Sequence, residues 1–136
     1  MKISLFATLT AVTLAAPAFA QDAAKGEKEF RACKACHAIV APDGTAIVKG
    51  GKVGPNLYGV IGRQVGSLEG FKYKDSIKAV GATGAVWTKE ELEAYITDPN
   101  AWLEEKTGDK AARSGMTFKA KKGQGDIAAY LESVAK

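Results

Sequence analysis

The chain is 136 residues long, with 19 Lys plus Arg against 15 Asp plus Glu, a formal net charge of +4, two cysteines and a single histidine. That length suits one domain around one core, and no repeat, low-complexity tract or long linker divides it. So small a basic excess makes no case for nucleic-acid binding, and the cysteines and histidine fall short of the four ligands of a structural zinc site unless carboxylates complete it.

The N-terminus reads as an export signal. Lys2 precedes an apolar run from Ile3 to Ala16, followed by Ala18-Phe19-Ala20. The run is too short and too rich in small residues for a good membrane span, and the small residues at 18 and 20 suit cleavage after Ala20. Residues 1–20 are therefore expected to be a cleaved secretory signal and residues 21–136 the mature domain. Removal of Lys2 leaves 18 basic against 15 acidic residues, a formal charge of +3. An uncut anchor helix is the alternative.

From there the signals are helical. Asp22 is placed to cap a helix whose Gly26, Phe30 and Cys33 share one side at i, i+4, i+7. Glycine is costly inside a helix, so Gly26 points to another backbone packed closely against it. After Cys36 the chain loosens through Pro42, Asp43, Gly44, Gly50, Gly51, Gly54 and Pro55, with further glycines at 59, 62, 66 and 70. So long a loop in a compact domain calls for something other than protein at the centre. Helical order resumes at Thr88, which forms a capping box with Glu91 ahead of Leu92, Tyr95 and Ile96. Asp98 and Pro99 read as cap and first residue of a short helix through Trp102 and Leu103. A last helix, capped by Asp126, carries Ile127, Tyr130, Leu131 and Val134 at i, i+3, i+4, i+7. No convincing alternating strand is found, and the fold class is all-α.

Both cysteines and the only histidine fall together in Cys33-Lys34-Ala35-Cys36-His37. CxxCH is a haem-attachment pattern. Cysteines three apart can present both sulfurs to one edge of a haem, and the next residue can turn an imidazole onto the iron. Three other readings compete. A thiol–disulfide motif would want a strand before it and a helix after it, whereas here the helix comes first. A zinc site would need carboxylates to complete it. The pair could also be inert and buried. A disulfide between residues so close would restrict the unfolded chain little. If a haem is present, Met116, the one methionine after the signal, is the candidate second axial ligand in Ser114-Gly115-Met116-Thr117-Phe118; the bland reading is core filler. Histidine–methionine ligation leaves no open iron position and argues for electron transfer over catalysis.

The chain resembles the class I c-type cytochromes, most closely the cytochrome c2 type of purple bacteria. The resemblance rests on Gly26 and Phe30, CKACH, Gly54-Pro55-Asn56-Leu57, Gly-Phe-Lys-Tyr at 70–73, Trp87, Tyr95, Ser-Gly-Met at 114–116 and Ala129-Tyr130-Leu131. It implies a class I cytochrome c fold around one haem c, covalent through Cys33 and Cys36, with His37 and Met116 on the iron. It further implies that the Pro55 carbonyl orients His37. Tyr73 and Trp87 would bond a buried propionate, Arg63 would offset its charge, and Tyr95 would contact the Met116 sulfur. Trp87 and Tyr95 could equally be plain core aromatics. Gly26 and Phe30 would cross the last helix near Tyr130 and Leu131. Ala41–Gly51 and Thr97–Ser114 are longer than in mitochondrial relatives, and Ile77 stands where those relatives have a polar residue.

The function so implied is that of a monomeric periplasmic carrier of single electrons, not an enzyme. The donor would be a cytochrome bc1 complex and the acceptor a photosynthetic reaction centre, a terminal oxidase or a denitrification reductase. Candidate docking lysines at the haem edge are Lys34, Lys49, Lys52, Lys106, Lys119, Lys121 and Lys122. A haem enzyme with an exchangeable iron position and a cofactor-free thiol–disulfide protein are the rivals.

Overall fold

The computed structural model describes residues 20–136. The expected export signal thus lies almost entirely outside the described residues, and no described helix is long and apolar enough to cross a membrane. Five helices dominate: α1 (Ala23–Glu29), α2 (Asp75–Ala82), α3 (Lys89–Thr97), α4 (Pro99–Thr107) and α5 (Gln124–Ser133). A short antiparallel hairpin pairs β1 (Ile39–Val40) with β2 (Ala46–Val48) in the register Ile39↔Val48 and Val40↔Ala46, with an irregularity between.

The crossing of α1 and α5 organises the molecule. The Asp22 carboxylate accepts from the backbone N–H groups of Ala24 and Lys25 and starts α1. One turn on, Gly26 lies so close to α5 that a Cβ would come 1.8 Å from the Asp126 carbonyl oxygen and 2.8 Å from Tyr130 Cβ. Phe30 then packs on Tyr130 with ring centroids 5.7 Å apart. Asp126 does not cap α5 as expected. The helix begins at Gln124, three residues earlier than that cap implies, behind Gly123 in the left-handed region at φ 73°, and Asp126 Oδ1 instead accepts the Asp22 backbone N–H at 2.7 Å. The carboxylate thereby ties one helix start to the other, where both N-termini favour negative charge.

Two further sequence expectations are corrected. The hairpin and α2 both fall in chain read as irregular. In α2, Ile77, Val80 and Gly81 are buried, and Gly81 meets the Val65 carbonyl so closely that a Cβ would lie 2.1 Å from it. At α3, Thr88 caps Glu91 N–H as expected, but Glu91 does not reach back to close the box. Its carboxylate is taken by Trp102 and Lys106. Asp98 caps α4 and Pro99 opens it.

Candidate functional site

Helix α1 runs into a single 3-10 turn, Phe30–Cys33, and the chain reverses there because the Cys36 and His37 N–H groups both donate to the Cys33 carbonyl, at 3.1 and 2.9 Å. Cys33 is half-buried and Cys36 exposed, both as free thiols. Burial, with Cys36 beside it, pushes the Cys33 thiol up to about 11. A redox or nucleophilic cysteine needs the opposite shift. Among the described residues His37 is the one buried polar or charged side chain in the core, 8% exposed. Its Nδ1 lies 2.8 Å from the Pro55 carbonyl oxygen. Since a carbonyl only accepts, Nδ1 carries the proton and Nε2 is left with a lone pair, the form a metal ligand needs. Burial holds the imidazole pKa down, the Pro55 bond partly opposing it. Gly54 lies on the ring so tightly that a Cβ would sit 2.2 Å from His37 Cε1.

A second strip of backbone sets Arg63 against Trp87. Gly62 N–H donates to the Trp87 carbonyl at 2.7 Å, Trp87 N–H to the Arg63 carbonyl at 2.9 Å, and Val65 N–H to the Ala85 carbonyl at 2.9 Å. The Arg63 guanidinium donates through Nη1 to the carbonyls of Asn56 and Tyr58, at 3.1 and 3.4 Å. Its Nε is buried with no partner, the one such side-chain nitrogen or oxygen among the described residues. Burial disfavours the charged form of Arg63, and nearby Tyr73 counters it. The Tyr73 hydroxyl accepts the Leu68 N–H at 3.3 Å. An unmet donor on a half-buried cation is a site for an anion.

Met116 lies on the irregular stretch between α4 and α5, half-buried against the core. Its N–H donates to Ser114 Oγ at 2.9 Å. The same Oγ is 2.7 Å from the Tyr95 hydroxyl, and Ser114 N–H donates to Asn100 Oδ1 at 2.8 Å. The recorded hydrogen bond of Tyr95 therefore goes to Ser114 rather than to the Met116 sulfur. Sequence reading passes over Asn100 and names Ser114, Gly54 and Asn56 only within motifs, without these roles; Asn56 joins the loop to Val40 through both side-chain atoms.

Trp87, Tyr95 and Trp102 form one aromatic group. Trp87 and Trp102 stack at 5.0 Å and 24°, while Tyr95 meets them edge-on at 5.0 and 5.3 Å. Among the described residues no three of His, Cys, Asp and Glu gather as a metal cage. A surface hollow of about 420 Å³ lies between α1 and β2 and touches neither His37 nor Met116.

No family model matches the chain. It is 64% identical to cytochrome c2 of Rhodobacter capsulatus over 137 residues, spanning all of both chains. It is 61% identical to cytochrome c-550 of Paracoccus versutus over 135 residues, 96% of this chain and 88% of the relative. The chain belongs to the cytochrome c2 family. The fold matches that of ferric cytochrome c-550 from Paracoccus versutus with a TM-score of 0.84 at 57% identity, over 86% of this chain and all of the other. Against cytochrome c2 from Rhodobacter capsulatus the TM-score is 0.83 at 63% identity, over 85% and 99%.

As a cytochrome c2 the chain is an electron carrier with one covalent haem c under histidine–methionine ligation. Its residues fit that group. The chain offers a lone-pair nitrogen, a thioether, two thiols on one turn and an unmet guanidinium donor, and it leaves Leu57, Tyr58, Ile61, Tyr73 and Tyr95 half-buried against the core. Apolar side chains left half-open are what a flat hydrophobic cofactor would cover. Of the seven candidate docking lysines, three are paired within the chain: Lys106 with Glu91 at 2.6 Å, Lys119 with Asp98 at 2.6 Å and Lys122 with Glu29 at 3.3 Å. Lys34, Lys49, Lys52 and Lys121 are exposed and have no ion pair among the described residues. The loop bearing Lys49 and Lys52 lies on the cysteine segment, with Gly51 N–H donating to the Lys34 carbonyl at 2.9 Å.

Proposed function

We propose that this cytochrome c2 holds its haem by thioethers from Cys33 and Cys36, takes His37 and Met116 as axial ligands, and shuttles single electrons in the periplasm after cleavage behind Ala20. The observation that carries the ligand set is His37: Nδ1 is spent on the Pro55 carbonyl and Nε2 is left to bind. When bound, the haem would supply a one-electron iron couple.

The chain's own residues do the rest. Pro55 and Gly54 fix the plane of the His37 ring. Arg63, with Tyr73 and Trp87, meets the negative propionate, and the unpartnered Nε is its natural donor. Tyr95 acts on Met116 through Ser114. With no vacant iron position, the protein is a carrier and not an enzyme. It works as a monomer, taking electrons from a cytochrome bc1 complex and giving them to a reaction centre, an oxidase or a reductase. Docking runs through Lys34, Lys49, Lys52 and Lys121, whose charge is free to steer an acidic partner.

The test is a visible spectrum of protein matured with a haem-attachment system, oxidised and reduced, before and after acid-organic extraction. A low-spin spectrum, haem that resists extraction and a far-red methionine–iron band lost in Met116→Ala are expected. A high-spin spectrum that shifts with added ligands would revive the enzyme reading, and a colourless protein would overturn the function.

A further inference from the structure

The segment that bears Met116 is fastened to the corner between α3 and α4 on both sides. Before the methionine, Arg113 reaches Glu104 at 3.0 Å and Ser114 N–H donates to Asn100 at 2.8 Å. After it, Lys119 pairs with Asp98 at 2.6 Å and Ala120 N–H donates to the Ile96 carbonyl at 2.7 Å. Asn100, Asp98 and Glu104 all belong to α4 or its cap.

Helix α4 is itself pinned from beneath by Trp102. That side chain is 4% exposed, stacked on Trp87 and edge-on to Tyr95. Its indole N–H donates to Glu91 Oε2 at 2.7 Å, and the other oxygen of that carboxylate takes Lys106 at 2.6 Å. Each polar atom of the Glu91 head is thus used, and Glu91 is held by α3. Through Tyr95 and Ser114 the aromatic group is joined to the Met116 N–H. A helix so fixed cannot shift without disturbing the methionine segment.

We infer that α4 is a brace for the iron's methionine ligand, with Asn100 and Trp102 as positioning residues that set how readily Met116 is displaced. The inference rests on Met116 being that ligand. Neither residue touches the iron. They act by limiting the fraction of molecules in which the 113–120 segment swings away, and a competing ligand binds only to that fraction.

Imidazole added to the ferric holoprotein reads this fraction directly, because it takes the position Met116 vacates. In Asn100→Ala the Ser114 N–H loses its acceptor, and the imidazole affinity is expected to rise about fivefold, the equivalent of one ordinary hydrogen bond. Asn100→Asp keeps an acceptor and should stay at the parent value. Trp102→Leu should raise the affinity further, and Trp102→Phe, which keeps a ring, should fall between. Ile127→Val, a core change on α5, outside α4 and the Met116 segment, controls for general loosening. Unchanged imidazole affinity in Asn100→Ala and Trp102→Leu would overturn the brace, as would an equal rise in Ile127→Val. A parent protein lacking the far-red methionine–iron band would instead overturn the ligand assignment beneath it.

Discussion

His37 and Gly54 stand in mutual contact: the glycine backbone lies against the imidazole, and a Cβ there would fall 2.2 Å from Cε1. The Gly54 N–H also donates to the Cys36 carbonyl at 2.8 Å, so the strand of chain cannot back away. Gly54→Ala should therefore turn the ring off the Pro55 carbonyl. The expected cost is about 1–3 kcal/mol of stability, as for other overpacked cores, with partial loss of the low-spin spectrum. Denaturant titration and the reduced visible spectrum would check it.

Arg63 should raise the reduction potential, since a fixed cation favours the less positive ferrous state. Arg63→Met is expected to lower the potential by about 60 mV, which for one electron is tenfold in the equilibrium constant. Redox titration at constant ionic strength measures this.

At Gly26 the threat is to the fold and not to the chemistry. Gly26→Ala would drive a methyl into the Asp126 carbonyl, so α1 must separate from α5 at a cost of about 1–3 kcal/mol or more. A lower denaturation midpoint with an unaltered visible spectrum is the expected result.

Charge reversal separates the free lysines from the paired ones. Lys49→Glu with Lys52→Glu should slow reduction by a membrane donor about tenfold at low salt and flatten its dependence on ionic strength. Lys122→Glu, at a lysine already facing Glu29, should do much less. Stopped-flow rates across a salt series would tell them apart.

Acid should loosen the α3–α4 corner. Glu91 is held below its ordinary 4.5 chiefly by Lys106, and Asp98 below its ordinary 3.8 chiefly by Lys119. Carboxylates with depressed folded-state values contribute stability that is present above their unfolded values and is lost as pH falls through the folded ones. The stability curve should therefore bend downward below about pH 4.5. Asp98→Asn, which removes the charge and keeps a cap acceptor, should shallow that bend in urea unfolding measured as a function of pH.

What the sequence revealed is what local chemistry demands. Covalent attachment needs both thiols and the histidine within one turn, so CKACH is contiguous and easily read. Asp22, Thr88 and Asp98-Pro99 are caps, whose meaning is set within three residues. Helix α2 escaped notice because Lys74 offers no capping side chain and Gly81 interrupts its last turn. The hairpin was hidden because strands of two and three residues show no alternation. Asp126 was misread because its partner, Asp22, is distant in the chain, and a local rule cannot see a helix start borrowed by another helix. The same holds for Ser114, whose hydroxyl matters only once Tyr95 is beside it, and for Lys106, Lys119 and Lys122, which look free until folding brings their acids.

The glycines at 50, 51 and 54 bear on the order in which the protein is made. Their backbone lies on the carbonyls of Lys34, Ala35 and His37 and on the imidazole itself, closing over the Cys33–His37 turn like a hasp. In the folded chain the Cys33 thiol is half-buried against the core and pushed up to about 11, which leaves less of the thiolate that reacts. In the unfolded chain the same thiol is open and closer to its ordinary acidity. Thioether formation is therefore expected to precede closure of the glycine loop, which then covers a turn already joined to the haem.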